Sequence, residues 1–320
     1  MIDTLSIPTI SDIKAAHEVI KPYAHRTPVL SSLKVNDKAG TSVFFKCENF
    51  QKVGAFKFRG ACNAVLTLSN SDAEQGVATH SSGNHAQALA LAAKIRGINA
   101  YVVMPENAPK VKVEAVKNYG AEVTFCEASI DARESTLMDV VNRTGSTPIH
   151  PYNDSRIVAG QGTAAIELLE DYPDLDVIMA PIGGGGLLSG TAIAVKSLNP
   201  TIEVIGSEPE EADDAYRSFK EGKLLPAYST NTIADGLRTS LGDLPFQIIK
   251  KHVDDIITVD EESIISAMRF IWERMNMIIE PSCAVPVAAL FNNPNRFKNK
   301  KVGIIITGGN VDLDNLPWSN

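Results

Sequence analysis

The segment Asn49-Phe-Gln-Lys-Val-Gly-Ala-Phe-Lys-Phe-Arg-Gly60 places one lysine, Lys57, between two phenylalanines, Phe56 and Phe58. Burial disfavours the charged form of a lysine, so an apolar setting favours the neutral amine that attacks carbonyl groups. The alternative is that Lys57 is an ordinary surface lysine at the start of a helix. Its methylene groups would then cover apolar surface, and Phe56 and Phe58 would both lie in the core. The segment alone leaves both interpretations open, and the rest of the chain has to decide between them.

Length, charge and cysteine content restrict the class of protein. A chain of 320 residues exceeds the usual single-domain size, which predicts two lobes. The net charge of −8, without a dense basic run, argues against a nucleic-acid partner. No run approaches the roughly 20 apolar residues of a membrane span, and the first residues lack the pattern of a signal peptide. Four scattered cysteines suggest neither zinc nor disulfides and predict a cytoplasmic protein: Cys47, Cys62, Cys126 and Cys283.

Short apolar or β-branched segments alternate with helical segments along the chain. The predicted strands cover residues 42–47, 76–79, 100–104, 121–125, 177–180, 202–207 and 302–307. The predicted helices cover residues 9–20 (capped by Ser11), 57–68, 84–96, 109–119 (with Pro109 in its first turn), 130–142, 162–171, 186–198 and 261–275, with another after Pro281. Residues 210–242 have no clear pattern. This alternation predicts an α/β fold with mostly parallel twisted sheets flanked by helices.

A run of four glycines, Gly183 to Gly186, follows a predicted strand and opens a predicted helix. Glycines let the backbone approach a ligand closely, and bare amides together with the helix dipole attract a phosphate. The run matches neither the dinucleotide fingerprint nor the P-loop, because the spacing and the Gly-Lys-Ser/Thr ending are missing. A tight strand-to-helix turn is the alternative, and the length of the run favours phosphate binding.

A second turn of small residues, His80-Ser-Ser-Gly-Asn-His-Ala-Gln87, also lies between a strand and a helix. The amides of residues 82–85 and the hydroxyls of Ser81 and Ser82 could hold a carboxylate, while Asn84 either caps the helix or donates to a ligand. A plain helix cap is the alternative. A third turn places the hydroxyl of Thr307 after the last apolar strand. Since ligands bind at the carboxyl ends of parallel strands, these turns predict receptors for a phosphate and a carboxylate around a reactive lysine.

Together these segments resemble the fold type II pyridoxal-phosphate enzymes, specifically the serine racemase and serine/threonine dehydratase family, with hydroxyaspartate dehydratases a near neighbour. The ordered motifs span nearly the whole chain: FQKVGAFKFRG at 50–60, HSSGNH at 80–85, AGQGT at 159–163, the tetraglycine loop, EPxxADD at 208–214, IADG at 233–236, IEP at 279–281 and GGNVD at 308–312. The resemblance implies two lobes similar to the tryptophan synthase β subunit. Residues 1–50 and 151–320 would form the large cofactor-binding lobe, and residues 51–150 an inserted small lobe.

The resemblance assigns a role in cofactor binding to each matching residue. It implies that Lys57 carries pyridoxal phosphate covalently and acts as the base on one face of the substrate. Phe56 would pack beside the cofactor ring, Asn84 would hydrogen-bond its phenolic oxygen, and Gly183 to Gly186 would bind its phosphate. Thr307 stands where the family has a hydroxyl facing the ring nitrogen. A neutral hydroxyl holds a proton there less well than a carboxylate, which suits elimination better than transamination.

The substrate side follows from the same resemblance. Ser82 matches the family's second acid/base, on the face opposite Lys57, and racemisation needs one such group on each face. The remaining substrate contacts implied by the family are Ser81, Asn84, His85, Arg133 and Thr239. The implied reaction is racemisation of serine together with elimination from serine or threonine to a keto acid and ammonia. The alternatives are a dehydratase of 3-hydroxyaspartate, whose distal carboxylate Arg133 or Arg238 would hold, and a non-catalytic amino-acid-binding relative.

Two further sites are implied by the resemblance alone. Glu208, Ala212 and Asp214 match the family's divalent-cation site, whose oxygen ligands suit Mg²⁺, Ca²⁺ or Mn²⁺; without the family they would be interpreted as a solvated acidic turn. Ser32, Lys52, Gln87 and Tyr119 match part of the ATP site of animal serine racemases, although Leu33 stands where a second serine is expected. Tyr152 replaces an asparagine that contacts the cofactor in the animal enzymes. The family also implies a homodimer.

Overall fold

The structure of the chain, a computed structural model, describes residues 6–108 and 110–318. Its helices are α1 Ile10–Ile20, α2 Leu33–Ala39, α3 Lys57–Leu66, α4 Asn70–Glu74, α5 Asn84–Arg96, α6 Lys110–Asn118, α7 Ile130–Thr144, α8 Ser155–Asp171, α9 Gly186–Leu198, α10 Asp214–Glu221, α11 Asp243–His252, α12 Glu261–Met275, α13 Pro281–Asn292 and α14 Pro294–Phe297. Its strands are β1 Val29–Leu30, β2 Ser42–Cys47, β3 Val77–His80, β4 Ala100–Pro105, β5 Glu122–Cys126, β6 Thr147–Pro148, β7 Val177–Pro181, β8 Glu203–Pro209, β9 Asp255–Val259 and β10 Lys301–Ile306.

Across the described ranges the strands form two sheets. The larger has the order β1-β2-β10-β7-β8-β9 and is parallel except for β1, which pairs antiparallel to β2 with Val29 opposite Lys46. The smaller has the order β5-β4-β3-β6 and is parallel throughout. Helices cover both faces, as parallel strands require. The predicted α/β class with two mostly parallel, helix-flanked sheets is confirmed.

The central strands of the larger sheet are apolar because both of their faces are buried. Along β7, Ile178 and Ala180 pack with α8, α9 and α11, whereas Val177 and Met179 pack with α2, α12 and α13. Successive side chains of a strand point to opposite faces, so a continuous apolar run is what two covered faces need. The smaller sheet packs against α3, α5 and α6 on one face and α7 on the other.

Several element boundaries differ from the sequence expectation. Thr9, not Ser11, caps α1, because the Thr9 side chain accepts from the Asp12 amide while the Asp12 carboxylate accepts from the Thr9 amide at 2.7 Å. Helix α8 begins at Ser155 rather than at residue 162, although it contains glycines. A methyl group on Gly160 would lie 2.6 Å from the Cα of Gly60, so this glycine serves the close crossing of α3 and α8.

Other differences concern the less regular parts of the chain. Helix α10 lies in the stretch 210–242 that showed no clear pattern, and α11 and β9 had no predicted counterpart. Pro109, predicted in the first turn of a helix, lies outside the described residues. Every strand of the smaller sheet lies between residues 77 and 148, inside the expected small lobe, and the boundary at 51–150 stays a prediction. Within the ranges the structure describes, no helix has the length and apolar character to cross a bilayer.

Candidate active site

The carboxyl ends of β3, β7 and β10 border one cavity of about 500 Å³. Ligands of open parallel sheets bind at these ends, where loops and helix N-termini converge. Every residue predicted to contact cofactor or substrate lines this cavity: Phe56, Lys57, Ser81, Ser82, Asn84, His85, Arg133, Gly183, Gly184, Gly185, Gly186, Thr239 and Thr307. Residues as far apart in sequence as Lys57 and Thr307, which are separated by 250 positions, are thereby brought together.

Lys57 is the first residue of α3, and its side chain faces the cavity while that of Phe58 is buried in the core. Its Nζ donates to the carbonyl of Pro151 at 3.1 Å and lies 5.2 Å from the ring centre of Phe56. Burial lowers the pKa of Lys57 to about 8, and the nearby carboxylate of Glu280 opposes this shift in part. The lowered pKa gives Lys57 more of the neutral, nucleophilic amine near neutral pH than an exposed lysine has.

The loop before Lys57 is strained and fixed to the end of β10. Val53 has a φ of +56°, which is unusual for a β-branched residue. The Phe56 amide donates to the Thr307 carbonyl at 2.9 Å, and the Gly309 amide donates to the Gly54 carbonyl at 3.0 Å. Strain of this kind persists only where the surroundings hold it. Here those contacts fix the backbone of Lys57 relative to Thr307.

The tetraglycine loop joins β7 to the N-terminus of α9. Gly185 has a φ of +87°, and a methyl group on Gly184 would lie 2.2 Å from ring carbons of Tyr152. Among the hydrogen bonds of the described residues, none is donated by the amides of Gly183, Gly184 or Gly185. Unpartnered amides at a helix N-terminus beside a cavity fit a phosphate group. The site therefore fits pyridoxal phosphate: an amine for its aldehyde and an amide cradle for its phosphate.

The Ser-Ser-Gly-Asn turn ends β3 and opens α5. Asn84 does not cap the helix: Gly83 occupies the cap position, and Asn84 is the first helical residue. Its Nδ2 donates to Glu280 Oε2 at 3.0 Å, and its Oδ1 accepts from Asn310 Nδ2 at 2.9 Å. These partners fix the orientation of the amide and leave its second N–H free for a ligand.

The buried imidazole of His85 is directed toward Ile149, whose carbonyl lies 3.4 Å from Nε2. Burial holds the pKa of His85 well below its ordinary value, so the ring is neutral. The side chain is therefore part of the wall, and a contact with substrate would use the backbone amide of His85.

The polar residues on the substrate side differ in how they are engaged. The Nε atom of Arg133 is buried without a hydrogen-bond partner in the described part of the chain. By contrast, Arg238 Nε donates to the Thr232 carbonyl at 2.7 Å. The hydroxyls of Thr239 and Tyr152 share a hydrogen bond of 2.9 Å. Of the two cavity-lining arginines, Arg238 is held by the protein through its Nε, whereas no hydrogen bond within the described residues engages the guanidinium of Arg133.

Sequence reasoning missed Glu280, which was noted only as part of a family motif. Its carboxylate is buried, accepts from Asn84 and lies 3.4 Å from Thr307 Oγ1. Burial, assisted by the charge of Asp235, raises the pKa of Glu280 to about 7. The signal was present, because Glu280 is the only charged residue between Met275 and Ala289. It also missed an ion pair at the cavity wall, in which Lys112 Nζ lies 2.8 Å from Asp235 Oδ2.

The residues predicted to bind a divalent cation lie outside the cavity. Glu208, at the end of β8, accepts from the amides of Ala215 and Tyr216 at 3.2 and 2.8 Å. Asp214 Oδ2 accepts from the Leu241 amide at 2.8 Å, whereas its Oδ1 is buried and has no partner among the described residues. Burial raises the pKa of both carboxyl groups, and the charge of Asp214 adds to the shift of Glu208.

An orphaned buried carboxylate oxygen beside a second carboxylate fits an oxygen-ligated cation. Ala212, the third predicted ligand, is buried in the turn that connects these two residues. In the described ranges, however, no group of three or more His, Cys, Asp or Glu side chains has a metal-binding arrangement. A cation here would therefore need backbone carbonyl or water ligands besides the two carboxylates.

The four residues matched to a nucleotide site are partly buried and lie outside the cavity lining: Ser32, Lys52, Gln87 and Tyr119. The turn that carries Lys52 packs against α5, which carries Gln87. Lys52 Nζ lies 5.6 Å from the ring centre of Phe58. Within the described ranges no hydrogen bond joins any two of the four, so nucleotide binding stays a prediction.

Comparisons with known proteins agree with this site. A family model described as pyridoxal-phosphate dependent enzyme matches residues 20–308. The chain is 51% identical over 313 residues to a β-hydroxyaspartate dehydratase of Paracoccus denitrificans, covering 98% of this chain and 99% of that protein. It is 54% identical over 316 residues to a serine racemase of Arabidopsis thaliana, covering 97% and 95%.

A solved structure extends the likeness from sequence to fold. The crystal structure of serine racemase from Dictyostelium discoideum superposes with a TM-score of 0.92 at 51% identity, covering 95% of this chain and 99% of that one. The family model matches most of the chain, and its cofactor fits the amine, amides and cavity found here. The chain belongs to the family of pyridoxal-phosphate-dependent enzymes.

Proposed function

We propose that the protein is a pyridoxal-phosphate-dependent serine racemase that also dehydrates serine and threonine to a keto acid and ammonia. The observation that carries the proposal is the presence of Lys57 and Ser82 in the wall of one cavity with the tetraglycine cradle. Relatives named serine racemase, at 54% and 51% identity over nearly the whole chain, support it. Fold alone would not, because this architecture hosts many reactions.

When bound, pyridoxal phosphate supplies an electron sink for the α-carbon of the amino acid. Gly183 to Gly186 hold its phosphate, and Phe56 packs beside its ring. The amine of Lys57 takes the α-proton from one face of the substrate, and a lowered pKa suits it to this role. The Ser82 hydroxyl returns a proton to the other face, which inverts the α-carbon. Loss of the β-hydroxyl as water instead leaves an enamine, which water hydrolyses to the keto acid and ammonia.

Ser82→Ala should suppress racemisation and D-serine elimination by about 10²-fold or more, since a positioned acid or base contributes 10²–10⁴-fold. Elimination from L-serine needs only the Lys57 face and should fall much less. The measurement is chiral analysis of residual serine together with keto-acid release from each enantiomer. The matched control is Ser71→Ala, which removes an exposed hydroxyl on α4, outside the cavity lining. A similar loss of all three activities in Ser82→Ala would contradict a face-specific role.

A second candidate is 3-hydroxyaspartate dehydration to oxaloacetate and ammonia. Arg133 favours it, because a distal carboxylate needs a cation and this cavity-lining arginine has no hydrogen bond to its guanidinium within the described residues. A relative named β-hydroxyaspartate dehydratase, 51% identical, supports it as well. The presence of both Lys57 and Ser82 argues against a non-catalytic binding protein. Purified protein that lacks the yellow colour of bound cofactor would argue for one.

A substrate panel distinguishes these functions. L-serine, D-serine, L-threonine and both diastereomers of 3-hydroxyaspartate would be assayed with and without Mg²⁺ and ATP. The leading proposal expects turnover of L-serine to both D-serine and pyruvate. Turnover restricted to hydroxyaspartate would overturn it in favour of the second candidate.

Four accompanying properties belong to the same proposal. Glu208, Asp214 and the Ala212 carbonyl would bind Mg²⁺, supported by the orphaned Asp214 oxygen, and ATP would act as an activator. A homodimer is proposed from the family. A cytoplasmic location is proposed because all four cysteines are free thiols.

A further inference from the structure

Tyr152 lies where three loops of the cavity wall meet. Its ring covers Gly184, on which a methyl group would lie 2.2 Å from the ring carbons, and a methyl group on Gly242 would lie 3.1 Å from its Cδ2. Its hydroxyl lies 2.9 Å from Thr239 Oγ1. Both Tyr152 and Thr239 line the cavity. The side chain therefore spans the wall from the tetraglycine loop to the segment that carries Thr239.

The backbone around Tyr152 is held by its neighbours. The amides of Tyr152 and Asn153 both donate to His150 Nδ1, at 3.3 and 2.9 Å. The rings of His150 and Tyr152 meet edge to face, with 4.5 Å between their centres. The Asn153 side chain accepts from the Leu244 amide at 2.9 Å, which ties this loop to α11. The phenol is therefore held in place by the protein itself.

Thr239 has the two branches of its side chain on different neighbours. Its methyl group packs on the tetraglycine loop, since a methyl group on Gly183 would lie 3.3 Å from Thr239 Cγ2. Its hydroxyl faces Tyr152. A β-branched side chain has few χ1 rotamers, so these two contacts together fix its orientation. Tyr152 and Thr239 thus form a preformed pair of hydroxyl groups, the hydroxyl pair, in the cavity wall.

The hydroxyl pair can both donate and accept hydrogen bonds. Two hydroxyl groups carry two protons and their mutual bond uses one, so one proton and several lone pairs are left. This count is the same whichever oxygen donates in the mutual bond. Among the hydrogen bonds of the described residues, neither hydroxyl has a second protein partner. Burial raises the pKa of Tyr152 above its ordinary value, so the phenol keeps its proton at neutral pH.

A ligand hydroxyl matches this pair better than a carboxylate does. A carboxylate only accepts hydrogen bonds, and the cavity has donors for it in the Ser-Ser-Gly-Asn turn and in Arg133. Two other hydroxyls of the wall have protein partners: Ser282 accepts from the Gly236 amide at 3.1 Å, and Thr307 faces two side chains at the start of α13. Ser82 has its proposed role at the α-carbon. A hydroxyl on the β-carbon is the substrate group left for the hydroxyl pair.

We propose that the hydroxyl pair of Tyr152 and Thr239 binds the β-hydroxyl group of the amino-acid substrate, with Tyr152 as a specificity-determining residue. The inference rests on the proposed function and names a further substrate contact for it. Serine, threonine and 3-hydroxyaspartate share a β-hydroxyl, whereas alanine lacks one. The hydroxyl pair therefore selects β-hydroxy amino acids as a class.

Tyr152→Phe removes the phenol oxygen and keeps the ring on Gly184. The wild type and the variant, each loaded with pyridoxal phosphate, are mixed rapidly with L-serine or L-alanine, and the first change in cofactor absorbance gives the dissociation constants. In the variant the affinity for L-serine should fall about three- to tenfold, as expected for one hydrogen bond, and that for L-alanine should change by less than about twofold. Tyr23→Phe, at an exposed position outside the cavity lining, is the matched control and should leave both constants unchanged.

The comparison with L-alanine separates recognition of the β-hydroxyl from a structural role. A variant that only disturbed the loop would bind both amino acids more weakly, so equal losses would overturn the inference. An unchanged affinity for L-serine in Tyr152→Phe would overturn it as well.

Thr239→Val gives a second reading if Tyr152→Phe does not retain cofactor. Valine keeps both branches of the side chain, and with them the contact with Gly183, but lacks the hydroxyl. This variant should also weaken binding of L-serine and not of L-alanine, and equal losses would again overturn the inference. Wild-type protein that binds neither amino acid would refute the proposed function itself, so the two failures are distinguishable.

Discussion

Lys57→Ala is expected to abolish covalent attachment of pyridoxal phosphate and to lower turnover of L-serine by about 10⁴-fold or more. The substitution removes both the nucleophile for the cofactor aldehyde and the proposed base, and one positioned acid or base alone contributes 10²–10⁴-fold. Among the described residues that line the cavity, the other lysine is Lys112, and its ion pair with Asp235 makes it a poor substitute. Absorbance of the purified protein and mass analysis after borohydride reduction measure the attachment.

The fold should survive this change, which makes the result interpretable. Lys57 is held by a single hydrogen bond to the Pro151 carbonyl, and burial already disfavours its charged form. Lys14→Ala, an exposed position on α1, is the matched control and should retain the colour and activity of the wild type. Cofactor still attached covalently in Lys57→Ala, or turnover within about tenfold of wild type, would contradict the assignment.

The sequence was sufficient to predict those parts of the site that are formed by a short contiguous segment. The tetraglycine loop and the Ser-Ser-Gly-Asn turn carry their own strand-to-helix context, so parallel topology placed each at the carboxyl end of its strand, although β7 and β3 belong to different sheets. Glu280 was missed because its role depends on contacts with Asn84 and Thr307, which lie 196 and 27 residues away. No local pattern reports such contacts.

Glycine was the least reliable residue type for predicting secondary structure, because it occurs both in turns and at close helix crossings. In the tetraglycine loop it permits a left-handed turn at Gly185, as the pattern predicted. In α8 the same residue type lies in a regular helix, where Gly160 allows the backbone of α3 to approach. The partner that makes Gly160 necessary, Gly60, is 100 residues away, so the sequence pattern placed the helix start too late.

The helix that carries Lys57 is anchored by buried charges. Arg59, two residues after Lys57, donates to both oxygens of Glu48 at 2.7 and 2.8 Å and to both oxygens of Glu167 at 2.8 and 2.7 Å. Lys46 Nζ lies 2.6 Å from Glu167 and balances the charge of the cluster. All four side chains are 0–5% exposed. The pKa of Arg59 is raised despite its burial, because two carboxylates surround it.

Arg59→Met is therefore expected to lower the free energy of unfolding by about 3–5 kcal/mol, since removing one partner of a buried pair leaves an uncompensated charge. Arg26→Ala is the control: Arg26 also bonds two carboxylates, Glu170 and Asp171, but is 49% exposed. Solvent screening limits that loss to about 1 kcal/mol or less. Urea unfolding followed by tryptophan fluorescence measures both, and equal losses would contradict the buried-charge argument.

A double variant separates the unpaired charge from lost packing. Arg59→Met leaves Glu48 and Glu167 with only Lys46 as a counter-charge, whereas Arg59→Met with Glu48→Gln restores neutrality through the remaining Lys46–Glu167 pair. A glutamine at position 48 can still accept from the Thr27 hydroxyl, which lies 2.6 Å from Glu48. If the penalty comes from an uncompensated carboxylate, the double variant should be more stable than Arg59→Met alone, by about 1–3 kcal/mol. Further loss in the double variant would show that Arg59 stabilises α3 by filling space and bridging elements, and that charge balance is secondary.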